Sequence, residues 1–408
     1  MLSVKEAETL IFNAVRPLDD TETVDLANAG DRVLAANITS DLDFPHWDNS
    51  AMDGYAVRFE DVKTASETHP ITLRVTAEIP AGTAPKTAIA PGEAARIFTG
   101  SMLPEGTDTI VMQENTKKEG DRVSILIPPP QAGAFVRRRG DYYQAGNLLL
   151  EKGTKLGSAE VAVLAAARVT KVPVFRKPRV AILSTGSELV TPDRPLEPGQ
   201  IVDSNQYALA TFVKKIGCEP VPLGIVSDTP EALKAAIENA IASADVVLSS
   251  GGVSVGDYDW VDRILAELGG NILVRSVAMK PGKPLTIATF SSPQTLYFGL
   301  PGNPVSALAT CWRFVRSSLL KLSGVASGWQ PVFVTAKTRS PLKSNGKRET
   351  YFWGQLYLVD GSYEFDLARG DRSSGNLINL AGTNGLAVLP VGETAIAAGE
   401  TVSVLPMS

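Results

Sequence analysis

The stretch Ala244-Asp-Val-Val-Leu-Ser-Ser-Gly-Gly-Val-Ser-Val-Gly-Asp-Tyr-Asp259 carries a strand, a turn and a helix start in one run. An apolar, β-branched segment ends in Ser249-Ser250-Gly251-Gly252. Two acids, Asp257 and Asp259, then precede a helical pattern over 260–268. A buried parallel strand that feeds a Gly-rich turn and a helix is the usual architecture of a phosphate or nucleotide site. Glycines let the backbone approach a ligand, and acids at the far end of the loop suit a hard cation held against phosphate oxygens. Asp259 is equally well placed to cap the helix that follows.

Working outward, residues 178–325 alternate strands and helices with short turns. Strands are expected at 179–183, 220–226, 245–248 and 272–279, with helices at 205–215, 230–243 and 260–268. Paired strands at 285–290 and 296–300 then lead into a helix over 304–322. This alternation predicts a parallel sheet covered by helices on both faces, with ligands beyond the carboxyl ends of its strands. The loops 184–188, 249–259 and 301–304 lie at such ends, and 279–284 also follows a strand.

Those loops hold the groups able to carry chemistry. Lys280-Pro281-Gly282-Lys283 puts two lysines three apart on a stiff turn, an arrangement that makes sense around an oxyanion. Asn303 and Pro304 read as N-cap and first residue of a helix whose free N–H groups attract anions. Glu188, Asp228 and Asp259 fall at or after strand ends, where three carboxylates suit magnesium. Asp203-Ser204-Asn205 is a capping cluster first and a ligand site second.

The flanks differ in character. Ser3-Val4-Lys5-Glu6 is a capping box before an amphipathic helix, not a signal peptide, so a cytoplasmic location is expected. Residues 71–127 read as short strands with a hairpin over 109–127 around Glu119-Gly120-Asp121. A helix resumes over 158–168, and alternating strands from 332 onward suggest a small β-barrel. The expected domains are 1–44 with 141–177 (helical and linker), 45–140 (a β-rich insertion), 178–326 (α/β) and 327–408 (the barrel).

Composition sets the bounds. The chain has 408 residues, 44% hydrophobic and 20% charged, with a net charge of −5. These values are those of a globular protein with no global attraction for nucleic acid or anionic membrane. No run of about 18 apolar residues is present to span a bilayer. Cys218 and Cys311 have no partner at metal-ligand spacing and read as reduced core residues. With only His46 and His69, zinc and iron–sulfur patterns are absent. Arg137-Arg138-Arg139 reads as a solvated basic face, too short to imply nucleic acid.

Eight segments in order closely resemble the MoeA family of molybdopterin molybdenumtransferases, to which the gephyrin E domain is related. They are DNSAMDGYA (48–56), RIFTG (96–100), VRRRGD (136–141), LSTGSEL (183–189), IVDSN (201–205), SSGGVSVGDYD (249–259), KPGKP (280–284) and GLPGNPVSAL (299–308). The resemblance spans essentially the whole chain, and it implies a MogA-like α/β domain among the four. It implies a magnesium-dependent transferase that takes adenylylated molybdopterin and molybdate, inserts molybdenum at the dithiolene and releases AMP. By motif, Asp53 and Thr99 line the cleft from the insertion domain, and Glu188, Asp228 and Asp259 form the acidic group at magnesium. Lys280, Lys283, Arg348 and Ser374 surround molybdate. Ser254, Gly251 and Gly252 contact nucleotide or pterin, with Asp203 and Asn205 beside them. A homodimer whose clefts draw on both subunits is implied, as is transient contact with the adenylyltransferase and with molybdoenzymes. The competing readings are that adenylyltransferase itself, and a non-enzymatic scaffold of gephyrin E type. The chain departs from the family at Arg168, where a helix-ending glycine is common.

Overall fold

The computed structural model describes residues 1–252, 258–371 and 373–407, without the side chains of Tyr258 and Asp259. The chain divides into two compact units. One comprises Met1–Ala36, Lys152–Val161 and Thr170–Ser408; the other comprises Asn37–Glu151 and Ala162–Val169.

In the larger unit a six-stranded sheet runs in the order Glu219–Val226, Arg179–Thr185, Val246–Ser250, Gln294–Leu300, Pro284–Ser291, Asn271–Ser276. The first four strands are parallel and the last two antiparallel. Strand side chains alternate between two cores, as the pleat requires. Val180, Ile182, Val246, Leu248 and Phe298 face one core, while Ala181, Leu183, Val247 and Tyr297 face the other. Both faces are covered, which explains the near-continuous apolar runs in sequence. Helices Asn205–Ile216 and Pro304–Thr310 pack on the first face. Helices Pro230–Ser243 and Tyr258–Glu267 pack on the second.

Helix Val4–Ala14 opens with the expected capping box: the Glu6 N–H donates to Ser3 Oγ at 3.2 Å, and the Ser3 N–H to the Glu6 carboxylate at 2.8 Å. Its buried face, Val4, Ala7, Ile11 and Phe12, joins the first core. The expected helix over 304–322 contains a π turn, Cys311–Val315, between Pro304–Thr310 and Arg316–Leu322. Cys218 and Cys311 are both buried and reduced.

The barrel is present as a closed ring. Strand Glu349–Val359 pairs with Ser362–Leu367, then Val334–Thr338, Thr401–Pro406 and Gly385–Leu389, which returns to Glu349–Val359. Phe352, Phe365, Leu389 and Val404 fill it, while Tyr351 and Trp353 point the other way into the first α/β core. No helix among the described residues is long and apolar enough to cross a membrane.

The smaller unit holds a mixed six-stranded sheet, Thr109–Met112, Gly54–Val57, Glu93–Ile97, Ile71–Ile79, Arg122–Ile125, Thr116–Glu119. Its last two strands are the expected hairpin, turning at Gly120 with φ 60°. Arg138 and Arg139 of the basic run are exposed, as expected, and both are also ion-paired. Arg138 pairs with Asp48 at 2.6 Å and Arg139 with Asp43 at 2.5 Å.

Helix Ser158–Ala166 ends as a glycine would end it, although Arg168 stands there. Arg168 has φ 59°, its N–H donates to Ala165 O at 3.0 Å, and the Val169 N–H donates to Leu164 O at 2.9 Å. This is the Schellman pattern, in which the left-handed residue satisfies the last carbonyls. Arg168 is exposed, so its side chain does little to offset the strain. Arg168→Gly is therefore expected to stabilise this unit by about 0.5–1 kcal/mol, the left-handed penalty less the entropy of glycine in the unfolded chain. Urea titration of both proteins measures it, and an unchanged or lowered midpoint would refute it.

Candidate active site

At the carboxyl edge of the α/β sheet lies an open cleft of 1390 Å³, walled by the strand-end loops and by the outside of the barrel. Its floor is a stack of close backbone approaches. A Cβ on Gly251 would lie 2.2 Å from the Thr185 carbonyl oxygen, and one on Gly302 would lie 3.4 Å from the Gly251 Cα. Asn205 ties the next loop in, donating from Nδ2 to Gly302 O at 2.7 Å. Three strand ends therefore meet at glycine, and at Gly251 no side chain fits between them.

One end of the cleft is acidic. Glu188 folds back over the Gly186 turn, its carboxylate oxygens 2.8 and 2.9 Å from where a Gly186 Cβ would stand. Asp228 accepts the Ser187 N–H at 3.3 Å, so both acids flank one turn at the end of strand Arg179–Thr185. Both expose oxygen ligands of the kind a hard cation takes. Among the described residues no three acidic, histidine or cysteine groups are close enough to form a metal cluster. Asp259 lies in the first turn of helix Tyr258–Glu267, and its side chain, like Ser254, falls outside the described residues.

The other end is basic. Lys280 and Lys283 are exposed on the turn between Met279–Lys280 and Pro284–Ser291. Half-buried Arg348 approaches it from the barrel side, donating from Nη1 to Met279 O at 3.2 Å. Gly282 has φ 108°, and a Cβ there would lie 2.9 Å from Thr310 Oγ1, so the turn rests directly on the helix. Ser374 closes this wall. Its carbonyl accepts the Val305 N–H at 3.2 Å, and its hydroxyl accepts from Asn303 Nδ2 at 3.1 Å.

The larger unit thus brings together Glu188, Asp203, Asn205, Asp228, Gly251, Gly252, Lys280, Lys283, Arg348 and Ser374 on one cleft. One capping expectation changes, and the other is met from a different residue of its cluster. Asn303 sits at the N-cap but makes no cap bond, because its amide is turned to Ser374. Ser204 likewise caps nothing; Asp203, buried at 2% exposure, accepts the Gln206 N–H at 3.2 Å instead. Sequence reasoning missed Thr185 and Trp353 as cleft residues, and their Oγ1 and Nε1 are buried without a hydrogen-bond partner. Thr185 is the third residue of the LSTGSEL segment and closes strand Arg179–Thr185, so it was within reach; nothing in the sequence sets Trp353 apart from other barrel aromatics.

Asp53 and Thr99 sit in the smaller unit and bind each other. The Asp53 carboxylate accepts both the N–H and the hydroxyl of Thr99, each at 2.7 Å. The Thr99 backbone bond, then its hydroxyl, hold the Asp53 carboxyl below the usual carboxylate range. Arg96 braces the segment, donating to Gly54 O at 3.0 Å and to the Gln113 amide at 2.7 Å.

A parallel-sheet domain with a ligand crevice at its strand ends, joined to a five-stranded barrel and a separate β-rich unit, defines a multidomain α/β protein. Sequence models of known families cover it in three parts. These are the MoeA N-terminal region (domain I and II) over residues 2–167, a probable molybdopterin binding domain over 181–321, and the MoeA C-terminal region (domain IV) over 335–407. The chain is 59% identical to the molybdopterin molybdenumtransferase of Nostoc sp., covering all of this chain and 94% of that one. It is 33% identical to the Haemophilus influenzae protein of the same name, over 100% and 99% of the two chains. The crystal structure of the molybdopterin biosynthesis MoeA protein from Pyrococcus horikoshii OT3 superposes with a TM-score of 0.85 at 32% identity, covering 100% of both chains. The chain belongs to the MoeA family.

The glycine floor is open to a direct test. Gly251 has φ 91°, and the atom that a Cβ would strike is backbone, which cannot swing aside. Gly251→Ala is expected to cost about 2–4 kcal/mol, combining the left-handed penalty with overpacking. Thermal unfolding reads this as a lowered midpoint; an unaltered midpoint would mean that the turn has room the structure does not give it.

Proposed function

We propose that this chain is a molybdopterin molybdenumtransferase, which takes adenylylated molybdopterin and molybdate, inserts molybdenum at the dithiolene and releases AMP. The observation that carries the reading is the polarity of the cleft. A glycine floor separates a carboxylate end from a lysine–arginine end, within a chain matched along its length by relatives of that name. The alternative of an adenylyltransferase leaves the barrel and the β-rich unit without a purpose. A scaffold would not need a cleft of two opposed charges.

In this reading Lys280, Lys283 and Arg348 bind the tetrahedral dianion through charge-assisted hydrogen bonds, and Ser374 supplies a neutral hydroxyl. The Gly251–Gly252 turn, with Ser254, receives the phosphate and pterin portion, since bare backbone lets those groups approach. Asp203 and Asn205 hold the neighbouring loop in register. Glu188, Asp228 and Asp259 would hold magnesium, which would neutralise charge on the phosphoanhydride as AMP leaves. The dithiolene sulfurs belong to the substrate, so the protein needs no thiol or imidazole of its own. We further propose four domains at the boundaries read from sequence, a homodimer in the cytoplasm, Asp53 and Thr99 acting in the partner subunit's cleft, and transient contact with the adenylyltransferase and molybdoenzymes.

The decisive assay supplies purified protein with adenylylated molybdopterin, magnesium and molybdate, and measures AMP and active cofactor together. Product formation without matching AMP, or none at all, would overturn the proposal. Within that assay Lys283→Ala is expected to raise the molybdate requirement about ten- to a hundredfold, as loss of one charge-assisted bond predicts. Binding of adenylylated molybdopterin should be much less affected. Equal loss of both ligands would assign the lysine to pterin phosphates.

Assembly has its own test. Mixing inactive Asp53→Ala chains with inactive Asp259→Ala chains should restore activity, because a mixed dimer contains one intact cleft. No recovery despite demonstrated subunit exchange would place all these residues in a single subunit.

A further inference from the structure

Arg313 is a buried charge outside the cleft, at 5% exposure, on the π turn Cys311–Val315. Its Nη2 donates to Glu8 on helix Val4–Ala14 at 2.6 Å, and its Nε donates to the Tyr351 hydroxyl at 2.9 Å. The guanidinium lies 5.3 Å from the Phe314 ring centre and 5.6 Å from that of Phe333. Tyr351, 1% exposed, donates onward to the Glu349 carboxylate. Burial pushes the Tyr351 phenol well above its ordinary value, so it remains a protonated donor. A polar row, Glu8–Arg313–Tyr351–Glu349, therefore crosses the core from the N-terminal helix to the barrel.

The same three elements hold the lysine turn. Met279–Lys280 pairs with Glu349–Thr350 of the barrel strand, and the Glu349 N–H donates to Ala278 O at 2.9 Å. On the opposite edge the Ala278 N–H donates to Leu2 O at 2.7 Å, just before the N-terminal helix. From below, Gly282 rests against Thr310, three residues ahead of Arg313 on the same helix. Each support of the turn is thus linked to the others through the buried row. Buried ion pairs of this kind often add little stability over apolar packing, and their best-attested use is to fix register.

We propose that Glu8, Arg313, Tyr351 and Glu349 are positioning residues that set the Lys280–Lys283 turn for its oxyanion, so that the N-terminal helix tunes oxyanion affinity from outside the cleft. The inference rests on the assignment of those lysines to molybdate given above.

The test uses the full chain and follows AMP release against molybdate at saturating adenylylated molybdopterin. The variants are Tyr351→Phe, Glu8→Gln, their double mutant, Glu349→Gln, and Lys283→Ala as reference. Tyr351→Phe and Glu8→Gln are expected to raise the molybdate KM about five- to tenfold, the loss of one hydrogen bond to a charged group. Their kcat and their KM for adenylylated molybdopterin should stay within about twofold of wild type. The double mutant should be no worse than Tyr351→Phe, because both cut one path. Glu349→Gln, which keeps an acceptor for Tyr351, should behave as wild type. Glu8 sits at the accessible end of the row, so its variant carries the test should Tyr351→Phe fail to fold. An unchanged molybdate KM in both variants, with Lys283→Ala impaired, would overturn the inference. So would a general fall in kcat with additive effects and a lowered melting midpoint, which marks a purely structural role. If Lys283→Ala itself leaves molybdate dependence unaltered, the assignment of the lysine turn fails and the inference falls with it.

Discussion

Strand Arg179–Thr185 has its successor in sequence, Glu219–Val226, on one side and the next parallel strand, Val246–Ser250, on the other. The chain must therefore leave the sheet in opposite directions at adjacent strand ends, and a crevice opens where the two connections part. The rest of the larger unit arranges itself about that gap. The loop after the first strand carries Glu188, and the loop after the second is Gly251–Gly252. The antiparallel edge, Pro284–Ser291 and Asn271–Ser276, brings the lysine turn to the same side. The barrel then supplies the wall that a three-layer α/β domain lacks, with Tyr351 and Trp353 anchored in the α/β core and Arg348 reaching back to Met279.

Much of this was legible because the relevant signals are local. Runs buried on both faces, short turns and helical periods gave the α/β order, and the capping box gave the start of helix Val4–Ala14. The cleft residues were legible because strand-end loops must gather at one edge of a parallel sheet. What escaped depends on partners distant in sequence. Asn303 reads as a cap until Ser374 is beside it, and the basic run at 137–139 gives no sign in sequence of its pairing with Asp43 and Asp48. The π turn left no trace, and Arg313, which it carries, finds its partners Glu8 and Tyr351 far away in sequence. Arg168 shows the converse: sequence marked a conflict, and the backbone adopted the glycine conformation regardless.

The distribution of ion pairs bears on why the cleft is open at all. Elsewhere cations meet acids: Arg176 bridges Asp245 at 2.9 Å and Asp20 at 3.1 Å, and Arg275 meets Asp262 at 2.8 Å. Among the described residues Lys280, Lys283, Arg348 and Glu188 make no ion pair, although opposite charges line the same cleft. They are kept apart by construction. Glu188 stands on the turn after the first sheet strand and the lysines on a turn clamped between helix and barrel, with the glycine floor between. To let them pair, the fold would have to close the crevice that its strand order creates. Like charges gathered in this way work against the folded state, a cost functional sites commonly carry. An anion that binds the folded chain alone relieves the repulsion and stabilises it by mass action. Under the proposed function, the electrostatic energy that surface pairs contribute to folding is here left for the ligand.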